Sequence, residues 1–475
     1  MEFRDKPTAA ALPSADGWTD APVHTAYLDS LRLRGLSVSG TSKWLNAAAV
    51  SASDTQVQAL RAAAYVQQVS PIQGYFRPAS EPPYTPELLS LAVAQMQPAS
   101  LWEAGLTGKG VKIGVIDAGF FGASQKPELK ALFQQGHIKA FRDFVNPAQQ
   151  QPYTQRETSM DDHGTDVLLS IAGYDPMRQA MTGLAPEADY YLARTDHGDR
   201  EGRVEEEYFI QALEWLDSLG VRLVNSSLGY GTGFDQPSEN YTPAQMDGSS
   251  LIARAAQIAV EQKGMTLIIS AGNDGNKRSW QIINTPADAA GVIAVGATYF
   301  GHWTRQGYSG IGPDFLPYLK PDLACFSANG TSFSAPVVTG LAACLLQQNP
   351  TLTSQELSQV LRESGHLYPH GNNYVGYGVP QVKRALQLAQ GEFGSTAAPQ
   401  VVEVKGKRYA YKVPALVTVS EENGGIVLFR KKSATQVLSQ QKLPARTQKV
   451  VVKRLPQETH TTLQVGPEII ELIWR

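Results

Sequence analysis

Short, nearly unbroken apolar runs alternate with amphipathic stretches through the middle of the chain. The apolar runs lie at residues 111–116, 221–224, 265–269 and 292–295. Between them, residues 205–219 carry apolar side chains at helical spacing, which predicts an amphipathic helix. Strands that are apolar on both faces are typical of a mostly parallel sheet with helices on both sides. The pattern therefore predicts an α/β fold whose ligand site lies beyond the carboxyl ends of the strands.

The amino-terminal part has a different pattern, with shorter predicted elements. Two helical patterns, the second preceded by the capping residue Ser53, alternate with strand patterns at residues 47–52 and 66–72. This alternation predicts a small α+β domain over residues 1–75. A proline-rich stretch follows, and it predicts an exposed, extended linker over residues 76–98.

The pattern changes again after about residue 390. Short apolar runs separated by turn residues are typical of β structure, and they lie at residues 401–404, 426–429, 450–452 and 469–473. We therefore predict a central α/β domain over residues 99–392 and a small all-β domain over residues 396–475. The β domain is basic, with 13 Lys and Arg against 6 Asp and Glu, which is typical of a solvated face.

Composition narrows the classes of protein that the chain can belong to. Over 475 residues it is 42% hydrophobic and 18% charged, with a formal net charge of −3. This balance argues against nucleic acid as a partner, and no apolar run reaches the roughly 18 residues that span a bilayer. The two cysteines, Cys325 and Cys344, are too few for a disulfide scaffold, and the sequence does not decide whether they pair.

The first residues hold no apolar stretch of about 7–15 residues, so no signal peptide is visible. Two interpretations stay open. The protein remains inside the cell, or the chain as printed lacks its export signal.

Three separated residues have the chemistry of a nucleophilic site. Asp117 ends an apolar run, His163 precedes a helical pattern, and Ser332 precedes another in residues 335–346. A serine at a helix N-terminus lies among backbone N–H groups that favour negative charge. An aspartate that orients a histidine, which in turn takes the proton of a serine, can drive attack on a carbonyl carbon.

Two other interpretations use the same residues. Ser332 can be an ordinary helix N-cap. The acidic residues beside the histidine can instead be metal ligands with it, and the set comprises Asp161, Asp162, His163 and Asp166.

Five ordered segments resemble the subtilisin-like serine proteases, or subtilases. The aspartate, histidine and serine motifs correspond to residues 110–119, 163–165 and 330–336. Residues 269–275 resemble the segment of the oxyanion asparagine, and residues 226–229 resemble the substrate-binding strand. The order aspartate, histidine, serine along the chain is also the order found in this family. One departure is Ala118, where the family usually has serine or threonine.

The resemblance implies a serine endopeptidase with Asp117, His163 and Ser332 as catalytic residues and Asn273 as oxyanion donor. Residues 226–231 and 270–272 are expected to pair with an extended substrate, and the first specificity pocket to favour large apolar side chains. The substrate-binding residues implied are Ser226, Ser227, Leu228, Gly229, Ala271 and Gly272. A catalytically silent binding module on the same fold is the alternative function.

The resemblance also bears on partners, cofactors and location. It implies protein or peptide substrates, a monomer, and action outside the cytoplasm. Residues 1–75 resemble an inhibitory propeptide, so that the chain is a self-processing zymogen, although an independent accessory domain is the alternative. Calcium is common in the family, but no ligand loop is legible here, so no cofactor and no metal ligand are predicted.

Overall fold

The structure is a computed structural model, and it describes six stretches of the chain. They form an amino-terminal domain, a central domain and a carboxy-terminal domain. The described residues are 1–6, 17–70, 85–151, 156–199, 202–392 and 399–475.

The amino-terminal domain is a small α+β unit, as predicted. Its antiparallel sheet has the strand order β2-β3-β1-β4, and Phe3, Leu31 and Leu60 are buried in its core. The Ser53 side chain caps helix α3 as the sequence predicts, in a capping box with Gln56. The elements are β1 (Glu2–Phe3), α1 (Gly17–Asp20), α2 (Thr25–Leu33), β2 (Val38–Ser42), β3 (Ala47–Val50), α3 (Asp54–Arg61) and β4 (Val66–Gln68).

The central domain begins with a helix that lies where we predicted an extended linker. Helix α4 (Pro86–Gln95) is capped by Thr85, and its apolar side chains pack into the central core. The prediction is therefore wrong for residues 86–95, because proline is well tolerated in the first helical turn and the apolar residues that follow it have helical spacing. Residues 76–84 of the predicted linker lie outside the described residues.

A seven-stranded sheet organises the central domain, in the order β13-β12-β11-β10-β5-β9-β6. All six neighbouring pairs are parallel. The elements are α5 (Ala99–Glu103), β5 (Lys112–Asp117), α6 (Lys130–Gln134), β6 (Ile138–Asp143), α7 (His163–Ala172), β7 (Tyr174–Asp175), β8 (Ala180–Met181), β9 (Asp189–Arg194), α8 (Val204–Ser218), β10 (Leu223–Ser226), α9 (Leu251–Glu261), β11 (Thr266–Ser270), β12 (Ile293–Thr298), β13 (Leu323–Phe326), α10 (Ala335–Gln348), α11 (Ser354–Ser364) and α12 (Val382–Ala389).

The sheet is buried on both faces, which confirms the predicted fold class. Along β11, Ile268 packs with helices α7 and α10, whereas Leu267 and Ile269 pack with helices α8 and α9. Side chains of a strand alternate between faces, so burial on both sides requires the unbroken apolar runs seen in the sequence.

The carboxy-terminal domain is all-β, as predicted. A five-stranded sheet has the order β14-β20-β19-β16-β17, and β15 pairs with β18. Phe429 of this domain packs with Ala324 and Leu367 of the central domain. The strands are β14 (Gln400–Val404), β15 (Arg408–Lys412), β16 (Ile426–Lys431), β17 (Val437–Leu443), β18 (Lys449–Lys453), β19 (His460–Val465) and β20 (Glu468–Trp474).

Two further observations concern the cysteines and the length of the helices. Cys325 and Cys344 are both buried free thiols, and burial raises the pKa of the Cys344 thiol to about 12. Neither is therefore a thiolate nucleophile near neutral pH.

Within the described part of the chain, no helix has the length and hydropathy needed to cross a bilayer.

Candidate active site

The three residues of the predicted triad lie on three different elements. Asp117 is the last residue of β5, and His163 is the first residue of α7. Ser332 lies in a short 3-10 turn, Thr331–Phe333, directly before α10. Because Asp117 ends an interior strand of the parallel sheet, it lies at the carboxyl edge, where the fold predicts a site.

Asp117 and His163 are in direct contact. The Nδ1 atom of His163 lies 2.6 Å from Oδ1 of Asp117, which also accepts the Ala118 N–H at 2.8 Å. The Asp117 side chain is fully buried, and the His163 side chain is 13% exposed. This bond places the proton on Nδ1, so that Nε2 is left as an acceptor on the other side of the ring.

Ser332 is held against the loop that follows β10 by two reciprocal bonds. Its Oγ donates to the Ser227 carbonyl at 3.3 Å, and the Ser227 Oγ donates to the Ser332 carbonyl at 2.8 Å. The imidazole of His163 lies beside the same turn, with its ring centre 5.6 Å from that of Phe333. The structure thus brings the histidine to the residue next to the serine.

Asn273 also lies at this turn. Its Oδ1 accepts the Thr331 N–H at 2.8 Å and the Thr331 hydroxyl at 3.0 Å. The two branches of a side-chain amide point in different directions. The engaged carbonyl therefore directs the Nδ2 donor away from Thr331.

The expected substrate-binding segments follow two neighbouring strands. Residues 226–229 begin at the last residue of β10, and Ala271 and Gly272 follow β11. Ser226 and Leu228 are buried, whereas Gly229 is exposed. Because β10 and β11 are parallel neighbours, the two segments leave the sheet side by side.

The structure corrects one expectation about the second segment. The N–H of Ala271 donates to Val295, and the N–H of Gly272 donates to the Thr331 hydroxyl. Their carbonyls accept N–H groups from Asn284 and Gly310. The N–H groups of residues 271–272 are therefore engaged within the fold and are not available to pair with a substrate strand.

Sequence reasoning missed a buried arginine behind the aspartate and histidine loops. The guanidinium of Arg194 donates to the Ala118 carbonyl at 3.0 Å and to Asp161 at 3.2 Å. It also pairs with Asp143 at 3.1 Å and Glu157 at 2.9 Å. A charged residue at the carboxyl end of a buried strand was the available signal. Arg194 joins the loop after Asp117 to the segment before His163.

The same contacts bear on the metal interpretation of this segment. Asp161 is engaged by Arg194 and by the Thr158 hydroxyl, and Asp162 pairs with Arg156 at 3.2 Å. No three His, Cys, Asp or Glu side chains among the residues described here are grouped to hold a metal ion. The acidic residues that precede the histidine form ion pairs and hydrogen bonds within the fold.

Two further carboxyl groups near the Asp117–His163 pair have raised pKa values. Burial raises the pKa of Asp196 to about 6, and the charge of Asp117 acts in the same direction. Burial likewise raises the pKa of Asp166 to about 6, although Lys126 at 3.8 Å opposes the shift. Negative charge close to His163 is thereby limited at mildly acidic pH.

The chain belongs to the subtilase family, since residues 108–378 match the sequence model of that family. Residues 14–82 match the peptidase S8 propeptide domain of Bacteroidota. The protein is therefore a serine peptidase with a propeptide domain, and the resemblance found in the sequence is confirmed.

Similar proteins include several bacterial subtilisins. Subtilisin NAT of Bacillus subtilis subsp. natto is 28% identical over 371 residues, which cover 76% of this chain and 85% of the relative. Subtilisin BL of Lederbergia lenta is 29% identical over 303 residues, covering 62% and 97%.

Two solved structures are also similar. MycP1 of Mycobacterium smegmatis has a TM-score of 0.47 at 21% identity, covering 66% of this chain and 90% of that one. A cold-adapted subtilisin-like serine proteinase has a TM-score of 0.42 at 22% identity, covering 58% and 88%.

Proposed function

We propose that the protein is a serine endopeptidase in which Asp117, His163 and Ser332 form the catalytic triad and Asn273 is the oxyanion donor. The observation that carries the proposal is the 2.6 Å contact between Asp117 and His163, with the imidazole beside the turn of Ser332. The family supplies the class of reaction, and this geometry supports the proposed assignment of roles.

The proposed reaction proceeds through an acyl-enzyme. Ser332 Oγ attacks the scissile carbonyl carbon while His163 Nε2 takes the hydroxyl proton, and Asp117 stabilises the imidazolium that forms. The Ser332 N–H and the Asn273 amide hold the oxyanion. The imidazolium then gives its proton to the leaving amine. In the second half of the reaction, water attacks the acyl group while His163 takes its proton, and His163 returns that proton to Ser332 as the acid product leaves.

We assign the substrate backbone to the groove beside residues 227–229. The exposed Gly229 and the Ser227 carbonyl at the nucleophile favour an extended peptide that lies along this segment. The buried side chains of Ser226 and Leu228 anchor this segment in the fold, and we assign Ala271 and Gly272 to the opposite wall. Proteins and peptides are accordingly the proposed substrates.

We further propose that the amino-terminal domain acts as the propeptide. The Glu214 carboxylate on α8 accepts the Ser42 hydroxyl at 2.6 Å and the Trp44 N–H at 3.2 Å. The Trp44 side chain packs into the core cluster that contains α8 and α9, and Lys263 pairs with Asp20 at 2.7 Å. These contacts attach the domain to the protease surface.

The domain boundaries follow from these assignments. Residues 1–75 are the propeptide, 99–392 the catalytic domain and 396–475 an accessory β domain. Because α4 packs into the catalytic core, we place processing upstream of Thr85, within residues 76–84 of the linker predicted from the sequence. We propose a monomer that acts outside the cytoplasm, as the resemblance implies, and no cofactor.

A fluorophosphonate probe tests the nucleophile. The wild-type chain is expected to be labelled at Ser332, with casein hydrolysis lost together with labelling in Ser332→Ala. Ser334→Ala is a matched control, since that hydroxyl donates to the Thr331 carbonyl within the same turn. A folded wild-type chain that neither reacts with the probe nor cleaves casein would favour the silent binding module instead.

Intact-mass analysis tests the zymogen. The wild-type chain is expected to lose about 75–84 amino-terminal residues on purification, because loop segments are the preferred sites of cleavage and α4, which begins at Pro86, belongs to the catalytic core. The Ser332→Ala chain is expected to keep all 475 residues. An active wild-type preparation with an intact Met1 end would identify the amino-terminal domain as an accessory domain.

A further inference from the structure

One side chain fills the space between the two segments that form the walls of the groove. A Cβ atom placed on Gly229 would lie 3.2 Å from Cβ of Asn284, and one placed on Gly272 would lie 3.0 Å from its Cγ. A Cβ atom on Gly231 would lie 2.9 Å from Oδ1 of Asn284 and 2.7 Å from the Trp280 ring. A side chain at any of the three positions would press against Asn284, which occupies the space between them.

The Asn284 side chain is held in place by its hydrogen bonds. The Trp280 indole donates to Oδ1 at 2.9 Å, and Nδ2 lies 3.5 Å from the Gly229 carbonyl. An indole N–H can only donate, so it fixes the oxygen of the amide toward Trp280 and the nitrogen toward Gly229. The Asn284 N–H also donates to the Ala271 carbonyl at 3.2 Å.

Both segments next to Asn284 contact the turn that carries the nucleophile. On one wall, the Gly272 N–H donates to the Thr331 hydroxyl at 3.0 Å, one residue before Ser332. On the other wall, the Ser227 carbonyl accepts the Ser332 hydroxyl. With its scissile carbonyl at Ser332, a peptide that lies along residues 227–229 directs the preceding side chain between Gly229 and Gly272.

We propose that Asn284 determines specificity by closing the floor of this first pocket, so that small residues such as Ala, Ser and Gly are preferred before the scissile bond. The inference rests on the proposed function. The proposed preference for small residues replaces the preference for large apolar residues that the family resemblance implies. A large apolar side chain must displace the amide from its Trp280 and Gly229 partners, and the loss of these hydrogen bonds disfavours such a substrate.

Peptide anilides that differ only in the residue before the scissile bond test the inference on the full chain after self-processing. The wild type is expected to cleave the Ala and Ser substrates with at least about tenfold higher kcat/KM than the Phe substrate. Asn284→Gly is expected to raise the Phe-to-Ala ratio by at least about tenfold, since even one methylene in an apolar pocket changes discrimination by roughly that factor and the removed side chain is larger. Asn284→Ala, which keeps Cβ, is expected to shift the ratio in the same direction by less.

The matched control is Gln281→Gly in the same loop. Gln281 is exposed and has a φ of 65°, which glycine adopts without strain. The Phe-to-Ala ratio of this variant is therefore expected to stay within about twofold of the wild-type ratio. A probe-labelled wild type that cleaves the Phe substrate as well as the Ala substrate would overturn the pocket but not the triad. If Ser332 is not labelled and no substrate is cleaved, both proposals fall. If Asn284→Gly does not fold, the Asn284→Ala variant and the wild-type cleavage profile still test the proposed pocket.

Discussion

At the scale of the residue, Asn273 uses the two ends of its amide differently. The oxygen holds the Thr331 N–H and hydroxyl, and the nitrogen is the proposed oxyanion donor. The same interaction therefore positions the nucleophile turn and orients the donor. A substitution that keeps the oxygen but removes the donor separates these two roles.

Asn273→Asp is such a substitution, since a carboxylate still accepts from Thr331 but cannot donate. We expect kcat to fall by about 10²–10³-fold, with KM changed by less than about threefold, because the lost donor acts on the oxyanion in the transition state. Steady-state kinetics on a peptide anilide measure both constants. Thermal unfolding close to that of the wild type is the control, and an unchanged kcat would contradict the oxyanion role.

At the scale of the element, Arg194 at the end of β9 connects the loop after β5 to the segment before α7. Its side chain is 5% exposed, and three carboxylates surround it. The ends of parallel strands meet at one edge of a sheet, so a single long side chain there can contact several loops. The position of His163 relative to Asp117 therefore depends on the ion pairs of Arg194, which connect the two loops.

Replacing Arg194 with Met is expected to lower the free energy of unfolding by about 3–5 kcal/mol, because it leaves buried carboxylates without their partner. Urea denaturation in a Ser332→Ala background, which prevents self-digestion, measures the loss. Arg222→Met is the control, since the Arg222 side chain is 49% exposed and pairs with Asp217 at the surface. Its cost is expected to stay below about 1 kcal/mol, and equal costs for the two variants would contradict the cluster's role.

At the scale of the whole molecule, the contact between the amino-terminal and central domains buries ionisable groups. Strand β2 covers the Glu207 carboxylate, so closely that a Cβ atom on Gly40 would overlap its Oε1 atom. Burial raises the pKa of Glu207 to about 7. It also raises the pKa of Glu214, although Ser42 and Trp44 donate to that carboxylate. Docking of the domain is therefore coupled to proton binding.

Retention of the cleaved amino-terminal fragment is expected to weaken as pH rises from about 4.5 to 7. Released Glu207 returns toward the ordinary glutamate pKa of about 4.3, so the docked state binds more protons in this range and is favoured at low pH. Lys6, whose pKa burial lowers to about 8, stays charged there. Gel filtration of processed enzyme blocked with fluorophosphonate is expected to show at least about tenfold tighter retention at pH 5 than at pH 7.

Glu207→Gln is the matched variant for this pH dependence. Glutamine cannot titrate, so the difference in retention between the two pH values is expected to shrink. Retention that is independent of pH in the wild type would show that docking leaves the Glu207 pKa unchanged.

The local chemistry of the chain determined much of the fold and of the proposed site. The nearly unbroken apolar run at residues 265–269 specifies a strand buried on both faces, and Ser53 specifies the start of a helix, because both signals act over a few neighbouring residues. The motifs around Asp117, His163 and Ser332 likewise carry their chemistry in their own residues. These parts were predictable from the sequence.

Only the tertiary structure decided which distant residues meet. Asn284 lies 55 positions from Gly229 along the chain, and Arg194 lies 76 positions from Ala118, so no local pattern records either contact. Pro86 shows the same limit within one segment, since proline is compatible both with a linker and with the first turn of a helix. Packing against the core chose the helix, because burial of its apolar side chains stabilises that state and is a property of the folded chain alone.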